Sequence, residues 1–251
     1  MTKSRNILIL HRYTVADTKN FQIVTSAYIV LNLTEPASYS QSHMYQKFTK
    51  PAFDIAAACI LIVTLSPVLL IGFVLAAIDA RSNPIFIHVR PGQHEKPVRL
   101  FKFRTMRDEF DSNGRQLSNL ERVTKVGKFL RSTSIDELPQ LFNVLLGEIS
   151  LVGPRPLQMW YLPHYTQEQR VRHDVKPGIT GLAQVSGRNT LSWEEKFDLD
   201  IRYVKSLSIW LDVKILLLTC LKVFSSREIN SGNHNTMDAF VEKPKTKKQT
   251  K

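Results

Sequence analysis

Residues 55–78 read IAAACILIVTLSPVLLIGFVLAAI, a run of 24 residues without a charged side chain. At about 1.5 Å per residue, a helix of this length can cross a hydrocarbon core about 30 Å thick, so a membrane helix is the first interpretation. Ser66 and Pro67 lie in the middle of the run, where a proline removes one helix hydrogen bond and favours a bend. The hydroxyl of Ser66 can then bind the backbone carbonyl that the proline leaves without a donor.

Basic residues flank this run on both sides: Lys47 and Lys50 precede it, and Arg81 and Arg90 follow it. Cations are enriched on the cytoplasmic side of membrane helices, so two basic flanks favour a helix that enters the bilayer, bends and leaves on the same side. The residues alone leave a re-entrant helix, a spanning helix and a buried core helix open.

The composition indicates a folded protein with anionic partners. A chain of 251 residues with 43% hydrophobic and 22% charged residues suits one packed domain with an appendage and excludes wholesale disorder. The net charge of +12 favours nucleic acid, phosphorylated small molecules or an acidic membrane surface as partners. Cys59 and Cys220 both lie in apolar runs, which argues against a zinc site or a disulfide framework and predicts buried or lipid-facing thiols.

The chain divides into four parts. Residues 1–43 are mixed in character and are predicted to be an extension, either poorly ordered or added by the choice of start site; NILIL is too short for a signal peptide. Residues 44–81 form the membrane element, 82–225 a globular domain, and 226–251 a polar basic tail that is predicted to be solvated.

The globular domain is predicted to be α/β, with mostly helical content and short strands. IFIHV (85–89) and VRLFKF (98–103) have strand composition and predict a hairpin. LPQLFNVLLGEIS predicts a buried helix that ends near Gly147, and SWEEKFDLDIRYV an amphipathic helix capped by Ser192. LSIWLDVKILLLTCLKVF predicts a long apolar helix, which lies either in the core or in the membrane interface with Trp210 at headgroup level. KPGITGLAQVSGRN predicts a loop with a short strand.

The segment STSIDELPQ (132–140) places two carboxylates side by side at Asp136 and Glu137. Ser134 and Glu137 match a helix capping box, although a helix starting there would place Pro139 where its missing N–H loses a bond. A helix start nearer Asp136 suits Pro139 better, and both starts stay open. Four cations flank the segment: Lys102, Arg104, Arg131 and Arg155. Phosphoryl transfer needs cations for phosphate oxygens, a carboxylate for a divalent metal, and a nucleophile or base.

Several long motifs together closely resemble the bacterial sugar transferase family, the monotopic polyprenyl-phosphate phosphoglycosyl transferases, and are most similar to its small single-domain members. They are FKFRTM (101–106), RSTSIDELPQLFNVLLGEISLVGPRPL (131–157), KPGITGLAQVSGRN (176–189) and KFDLDIRYVKSLSIWLDVKI (196–215). The resemblance covers roughly residues 44–225. No P-loop, GxGxxG, HExxH or GxSxG motif is present.

The resemblance implies transfer of a sugar-1-phosphate from a UDP-sugar to polyprenyl (undecaprenyl) phosphate, with release of UMP, at the cytoplasmic face of the bacterial inner membrane. It implies that Asp136 is the nucleophile of a covalent phosphosugar intermediate, and that Glu137 supports catalysis, with both residues at a Mg²⁺ ion. It also implies a re-entrant helix broken at Ser66 and Pro67, and a Pro154-Arg155-Pro156 loop at the nucleotide end of the substrate.

The resemblance extends to further residues. Lys102, Arg104 and Arg131 match cationic positions of the family, for which phosphate binding is the expected role. Arg188 and Asn189 either reach the substrate or form a turn. Asp198 and Asp200 either line the site or occupy the exposed face of a helix, which we favour.

The expected donor is a UDP-N-acetylhexosamine derivative, and the reaction would begin surface polysaccharide or glycoconjugate synthesis, such as O-antigen or capsule, with glycosyltransferases acting downstream. Two other functions are compatible with parts of the sequence. A membrane-tethered nucleic-acid-binding protein fits the charge, but no basic platform with interleaved aromatic residues is present, so no nucleic acid is expected. A metal-dependent phosphohydrolase would release free sugar phosphate.

Overall fold

The computed structural model describes residues 44–80, 82–108, 110, 117–187, 190–225 and 239–241, with the side chains of 119, 120 and 223–225 left undescribed. The predictions made for the extension 1–43, for Arg81, Arg188 and Asn189, and for most of the tail therefore lie outside the described residues.

The apolar run forms a bent pair of helices, α1 (Lys50–Thr64) and α2 (Ser66–Ala80), preceded by a π-helical turn over Tyr45–Thr49. The chain bends by 69° between the two helices. Together they have the length and composition of a broken membrane span or a re-entrant loop, whereas no single described helix has them alone. The Ser66 hydroxyl donates to the Val63 carbonyl at 2.8 Å. In an unbroken helix the N–H of residue 67 would bind that carbonyl, so the predicted break and its compensation by serine are both confirmed.

The inner face of α2 carries small residues that bring the helix close to the domain. Gly72, Ala76 and Ala80 are buried. A Cβ atom at Gly72 would lie 2.7 Å from Cε2 of Phe103 and 3.1 Å from Cγ2 of Ile135. The opposite side of α2 exposes large apolar side chains: Leu70, Ile71, Phe73, Val74 and Ile78. Helix α2 therefore packs directly against Phe103 and against Ile135, the residue before Asp136.

The predicted hairpin is present as strands β1 (Ile85–Pro91) and β2 (Pro97–Phe103), paired antiparallel with Phe86 opposite Lys102. The side chain of Asn143 binds β2: its Oδ1 accepts from the Phe101 N–H at 3.0 Å and its Nδ2 donates to the Arg99 carbonyl at 2.7 Å. Since Asn143 is fully buried, it fixes β2 to the helix that follows the two carboxylates.

The remaining helices and strands are short until the C-terminal third. They are α3 (Asn119–Arg122), α4 (Lys125–Ser132), α5 (Gln140–Leu145), β3 (Ser150–Val152), α6 (Gln167–Arg170), β4 (Gly178–Thr180), α7 (Leu182–Ser186), α8 (Trp193–Lys205) and α9 (Ile209–Ser225). Strands β3 and β4 form a two-stranded parallel sheet. The α/β class with mostly helical content is confirmed, as is the end of α5 before Gly147, which has φ +73°. Helix α7 was not predicted.

The last two helices complete the main core. Ser192 caps α8, as predicted, and the structure adds that Glu195 completes a capping box with it. Helix α9 buries Leu211 and Ile215, while Trp210 is 80% exposed, so one helix has both a core face and an exposed apolar face. Both cysteines are exposed, which excludes the buried alternative for them.

A buried polar network ties the base of α1 to α9. The Lys50 ammonium lies 2.5 Å from Oδ2 of Asp212, which also accepts from the Tyr45 hydroxyl at 2.6 Å. The Tyr203 hydroxyl donates to Oδ1 of Asp212 at 2.7 Å. Asp212 is fully buried, and these partners stabilise its carboxylate, with the Lys50 ammonium shared with Asp54 at 3.7 Å.

Candidate active site

The two adjacent carboxylates lie in a single turn of 3-10 helix, Ile135–Glu137. Ser134 before it has a left-handed backbone (φ 57°, ψ 16°), and its side chain caps nothing. The α-helix begins only at Gln140, with Pro139 at the N-cap position, where a missing N–H loses no helix bond. The capping box is therefore wrong, and so is an α-helical start near Asp136. The left-handed residue and the proline together restrict the carboxylates to one tight turn.

Glu137 is held by two cations. Its Oε1 lies 2.6 Å from Nζ of Lys102 and 3.0 Å from a terminal nitrogen of Arg155. Burial alone would raise the pKa of Glu137, but the charges of Arg155 and Lys102 outweigh it and lower the pKa to about 2.

Asp136 has a different environment from its neighbour. Among the described residues, none forms a hydrogen bond or an ion pair with its carboxylate. Burial, followed by the negative charge of Glu137, raises the pKa of Asp136 to about 6, against the opposing charges of Lys102, Arg131 and Arg155. An unpaired carboxylate that is ionised at neutral pH can act as a nucleophile.

The loop that carries Arg155 is fixed by the small parallel sheet beneath it. The Gly153 N–H donates to the Thr180 carbonyl at 2.9 Å, and the Gly178 N–H donates to the Pro154 carbonyl at 3.0 Å. A Cβ atom at Gly153 would lie 2.4 Å from the Lys176 carbonyl oxygen, so only glycine permits this approach. The Pro154-Arg155-Pro156 loop thus has its backbone held while the Arg155 side chain, half exposed, reaches Glu137.

The other cations predicted for the site differ in their contacts. Arg131 donates from Nε to the Thr105 hydroxyl at 2.8 Å, and its charge acts on Asp136. Arg104 instead donates to the Asn83 carbonyl at 2.8 Å and to Asp108 at 3.2 Å. The structure therefore brings Lys102, Arg131 and Arg155 to the carboxylates and pairs Arg104 elsewhere.

Two cations near Arg155 were missed as site residues. Burial, then the charge of Arg155, lowers the pKa of Arg90 to about 10. The same two causes lower the pKa of Lys196. Arg90 was interpreted only as a flank of the membrane segment. Its place at the end of the predicted strand paired with the Lys102 strand was the signal that could have found it.

Asp198 and Asp200 have opposite environments. Asp198 is exposed, as expected, whereas Asp200 is buried and the exposed-face prediction is wrong for it. Oδ2 of Asp200 lies 2.7 Å from a terminal nitrogen of Arg172, and that nitrogen also donates to the Arg155 carbonyl at 2.8 Å. The Asp200–Arg172 pair thus supports the Arg155 loop from below.

An apolar groove opens beside the carboxylate turn. Its volume is about 440 Å³, and it is lined by Leu69, Phe73, Ile85, Phe101, Phe103, Pro139 and Phe142. These residues come from α2, the hairpin and the start of α5. The groove therefore lies between α2, the hairpin and Pro139, which follows the carboxylate turn closely in the chain.

The donor set suits a metal that is shared with a substrate. Within the described residues, no group of three or more His, Cys, Asp or Glu side chains forms a protein cage for an ion. Mg²⁺ usually binds one or two carboxylates together with substrate phosphates. Asp136 is left without a partner among the described residues, and it fits that arrangement with a diphosphate.

Comparison with known proteins gives one family. The Bacterial sugar transferase family matches residues 45–226, close to the extent of the resemblance found in the sequence. An uncharacterized sugar transferase of Bacillus subtilis is 52% identical over 192 residues, covering 76% of this chain and 95% of that protein.

Relatives with named activities are longer. The UDP-glucose:undecaprenyl-phosphate glucose-1-phosphate transferase of Klebsiella pneumoniae is 43% identical over 69% of this chain and 40% of its own length. The UDP-N-acetylgalactosamine-undecaprenyl-phosphate N-acetylgalactosaminephosphotransferase of Aeromonas hydrophila is 39% identical over 68% of this chain and 43% of its own. The present chain thus spans about two fifths of each of these two proteins.

Proposed function

Because this chain belongs to the bacterial sugar transferase family, we propose that it transfers a sugar-1-phosphate from a UDP-sugar to undecaprenyl phosphate and releases UMP. The observation that carries the proposal is the difference between the two carboxylates. Glu137 is neutralised by Lys102 and Arg155, whereas Asp136 lies near the same cations without an ion pair or hydrogen bond to its carboxylate from the described residues. This arrangement suits one carboxylate nucleophile in a pocket that accepts phosphate.

The proposed reaction has two displacements at one phosphorus. An Asp136 oxygen attacks the phosphorus that bears the sugar, the bond from that phosphorus to the oxygen bridging to UMP breaks, and UMP leaves. A phosphate oxygen of undecaprenyl phosphate then attacks the same phosphorus and displaces the Asp136 carboxylate. The sugar ends on a lipid diphosphate, and the carboxylate is regenerated.

The cations supply the electrostatic part of this chemistry. Lys102, Arg131 and Arg155 are placed to neutralise diphosphate oxygens as charge develops on the leaving UMP. Glu137 holds two of these cations in place. Since its pKa is about 2, it is a weak proton acceptor, and we assign it mainly the positioning of Lys102 and Arg155. Asp136, Glu137 and the substrate diphosphate would hold Mg²⁺, which would supply further charge neutralisation.

The bent helix pair is proposed to enter one leaflet from the cytoplasmic face and return, which places the carboxylate turn at the membrane surface. Three features support this topology: the 69° bend, the compensated proline, and the exposed apolar side chains on α1 and α2. The apolar groove beside Pro139 is then open to the lipid phase, and we propose that it receives the isoprenoid chain of the acceptor.

The sugar is proposed to be an N-acetylated hexosamine derivative, made in the cytoplasm and passed on by downstream glycosyltransferases. The relatives above are named for glucose and for N-acetylgalactosamine, so the family uses more than one donor. A panel of UDP-sugars, tested with the membrane-reconstituted protein, undecaprenyl phosphate and Mg²⁺, provides the test. UMP release together with a lipid-linked product is expected for one donor class. Free sugar phosphate in place of the lipid product would instead indicate the phosphohydrolase.

A further inference from the structure

A short segment of the C-terminal tail, residues 239–241, packs against the domain although it lies beyond the family match. Phe240 and Val241 join an aromatic cluster whose buried members are Tyr161, Tyr165 and Phe197. The Phe240 ring centroid lies 5.2 Å from that of Phe197, 5.5 Å from Tyr161 and 6.0 Å from Tyr165, where the rings are stacked. Such edge and stacked contacts stabilise a ring beyond the burial of its area.

The aromatic cluster holds Arg172. The guanidinium carbon of Arg172 lies 5.7 Å from the Tyr165 ring centroid and 5.6 Å from that of Phe197, so two of the rings that contact Phe240 also contact this cation. Arg172 also donates to Oδ2 of Asp200, from Nε at 3.0 Å and from a terminal nitrogen at 2.7 Å, and to the Tyr165 hydroxyl at 3.4 Å. These hydrogen bonds and the two neighbouring rings together fix the position of the buried guanidinium, so a displacement of either ring would allow the guanidinium to move.

Arg172 in turn fixes the loop at the carboxylates. It donates to the Arg155 carbonyl at 2.8 Å, and the Arg155 side chain lies 3.0 Å from Glu137. The cluster also includes residues that follow this loop directly, since Leu157 and Trp160 pack on it. Phe240 is therefore connected to the carboxylate pair by contacts through Tyr165 or Phe197, then Arg172, then Arg155.

We propose that Phe240 is a positioning residue for catalysis: the tail segment 239–241 closes the aromatic cluster and thereby fixes Arg155 for the donor diphosphate. The inference rests on the proposed function, because it assigns the tail to the donor side of that site. It concerns residues 239–241, which lie outside the residues 45–226 that the family matches.

The test uses the full-length, membrane-reconstituted protein with Phe240→Ala. UMP release without acceptor measures the first half-reaction, and lipid product measures the second. We expect the KM for the UDP-sugar to rise about five- to tenfold, the size expected for the loss of one aromatic group from the cluster, with the KM for undecaprenyl phosphate unchanged. Phe240→Tyr should restore the wild-type value. Phe110→Ala, which removes a ring that is 60% exposed, is the matched control and should change neither KM.

Other outcomes overturn the inference. A donor KM equal to that of the wild type, a higher activity than the wild type, or equal changes in both KM values with a lower thermal midpoint would each exclude a positioning role. If Phe240→Ala does not accumulate, Phe240→Leu keeps apolar volume without a ring and should show the same donor-specific change. Failure of the wild type itself to release UMP from any UDP-sugar would contradict the proposed function, a result distinct from these.

Discussion

At the scale of single residues, the site depends on giving two neighbouring carboxylates different partners. Glu137 takes both nearby cations on one oxygen and stays ionised down to about pH 2, whereas burial and the charge of Glu137 hold the pKa of Asp136 near 6. Such a division of environments separates a structural carboxylate from a reactive one. The difference between the two carboxylates depends on the positions of Lys102 and Arg155, which lie far apart in the chain and both contact Glu137.

Arg155→Ala tests this division. The variant removes the cation that binds Glu137 and is proposed to bind the donor. The kcat/KM for UMP release from the UDP-sugar should therefore fall about ten- to a hundredfold, the range for one charge-assisted hydrogen bond. Arg155→Lys should recover part of the loss, because lysine keeps the charge without the planar guanidinium. Arg99→Ala removes an exposed cation from the strand that carries Lys102 and serves as the control. Equal activity of Arg155→Ala and Arg99→Ala would contradict the assignment.

A pH effect on stability is expected from His173. Burial, then the charge of Arg172, lowers the pKa of His173 from its usual 6.5 to about 4. The unfolded chain then binds a proton more readily than the folded one, so stability is lost as the pH falls from about 6.5 towards 4. The gap between the two pKa values corresponds to about 3 kcal/mol of unfolding free energy.

Thermal unfolding in detergent between pH 7.5 and pH 4.5 measures this effect. His173→Gln should unfold with a weaker dependence on pH than the wild type over this range. An identical dependence in the two proteins would show that His173 is not the group responsible.

At the scale of secondary-structure elements, helix α2 is part of the site as well as of the membrane element. Its inner face touches Phe103 at the end of the Lys102 strand and Ile135 next to Asp136, with no space left at Gly72. The close approach allows one helix to align the strand and the carboxylate turn. A side chain at this point should therefore disturb catalysis even though it lies outside the reacting atoms.

Gly72→Leu should lower UMP release at least about tenfold, because the inserted atoms must displace Phe103 or Ile135, at the usual cost of overpacking. Val74→Leu adds an apolar carbon to the exposed side of the same helix and should retain activity. The half-reaction assay compares the two variants at equal amounts of folded protein. Activity of Gly72→Leu at the level of Val74→Leu would show that α2 does not align the turn.

Elements with a strong local signal could be predicted from the sequence. The hairpin, the Ser66–Pro67 break, the Ser192 cap and the end of α5 at Gly147 each depend on residues within one turn or one strand of each other. The carboxylate turn could not be predicted in this way. Ser134 and Glu137 match the sequence pattern of a capping box, whereas Ser134 has a left-handed backbone and caps no helix. The buried Asp200 was missed because its partner, Arg172, is distant in the chain, and Arg90 because the site that it adjoins is formed by distant residues such as Arg155 and Glu137.

At the scale of the whole molecule, the bent helix pair is tied to the domain, and exposed apolar side chains lie on the helices at both ends of that connection. The network around Asp212 joins α1 to α9, and both helices carry exposed apolar residues. We expect these residues to face the lipid and the cationic site to face the cytoplasm. The same arrangement would bring a soluble donor and a lipid acceptor to one phosphorus.

The topology is testable with single cysteines. In a background without Cys59 and Cys220, Met44→Cys and Ser82→Cys mark the two ends of the helix pair, and Lys96→Cys marks the hairpin turn as a cytoplasmic control. A membrane-impermeant maleimide should label all three only from the cytoplasmic side. Labelling of residue 44 or residue 82 from the opposite side would establish a spanning helix instead.

The central claim, that Asp136 attacks the donor phosphorus, is tested most directly by intact-protein mass spectrometry. The purified protein is incubated with its UDP-sugar and Mg²⁺ in the absence of acceptor. The account predicts one added sugar phosphate per chain, on the peptide that contains Asp136, with an equal amount of UMP, and neither product from Asp136→Ala. An adduct on another residue, or lipid-linked sugar formed by Asp136→Ala at the wild-type rate, would contradict it.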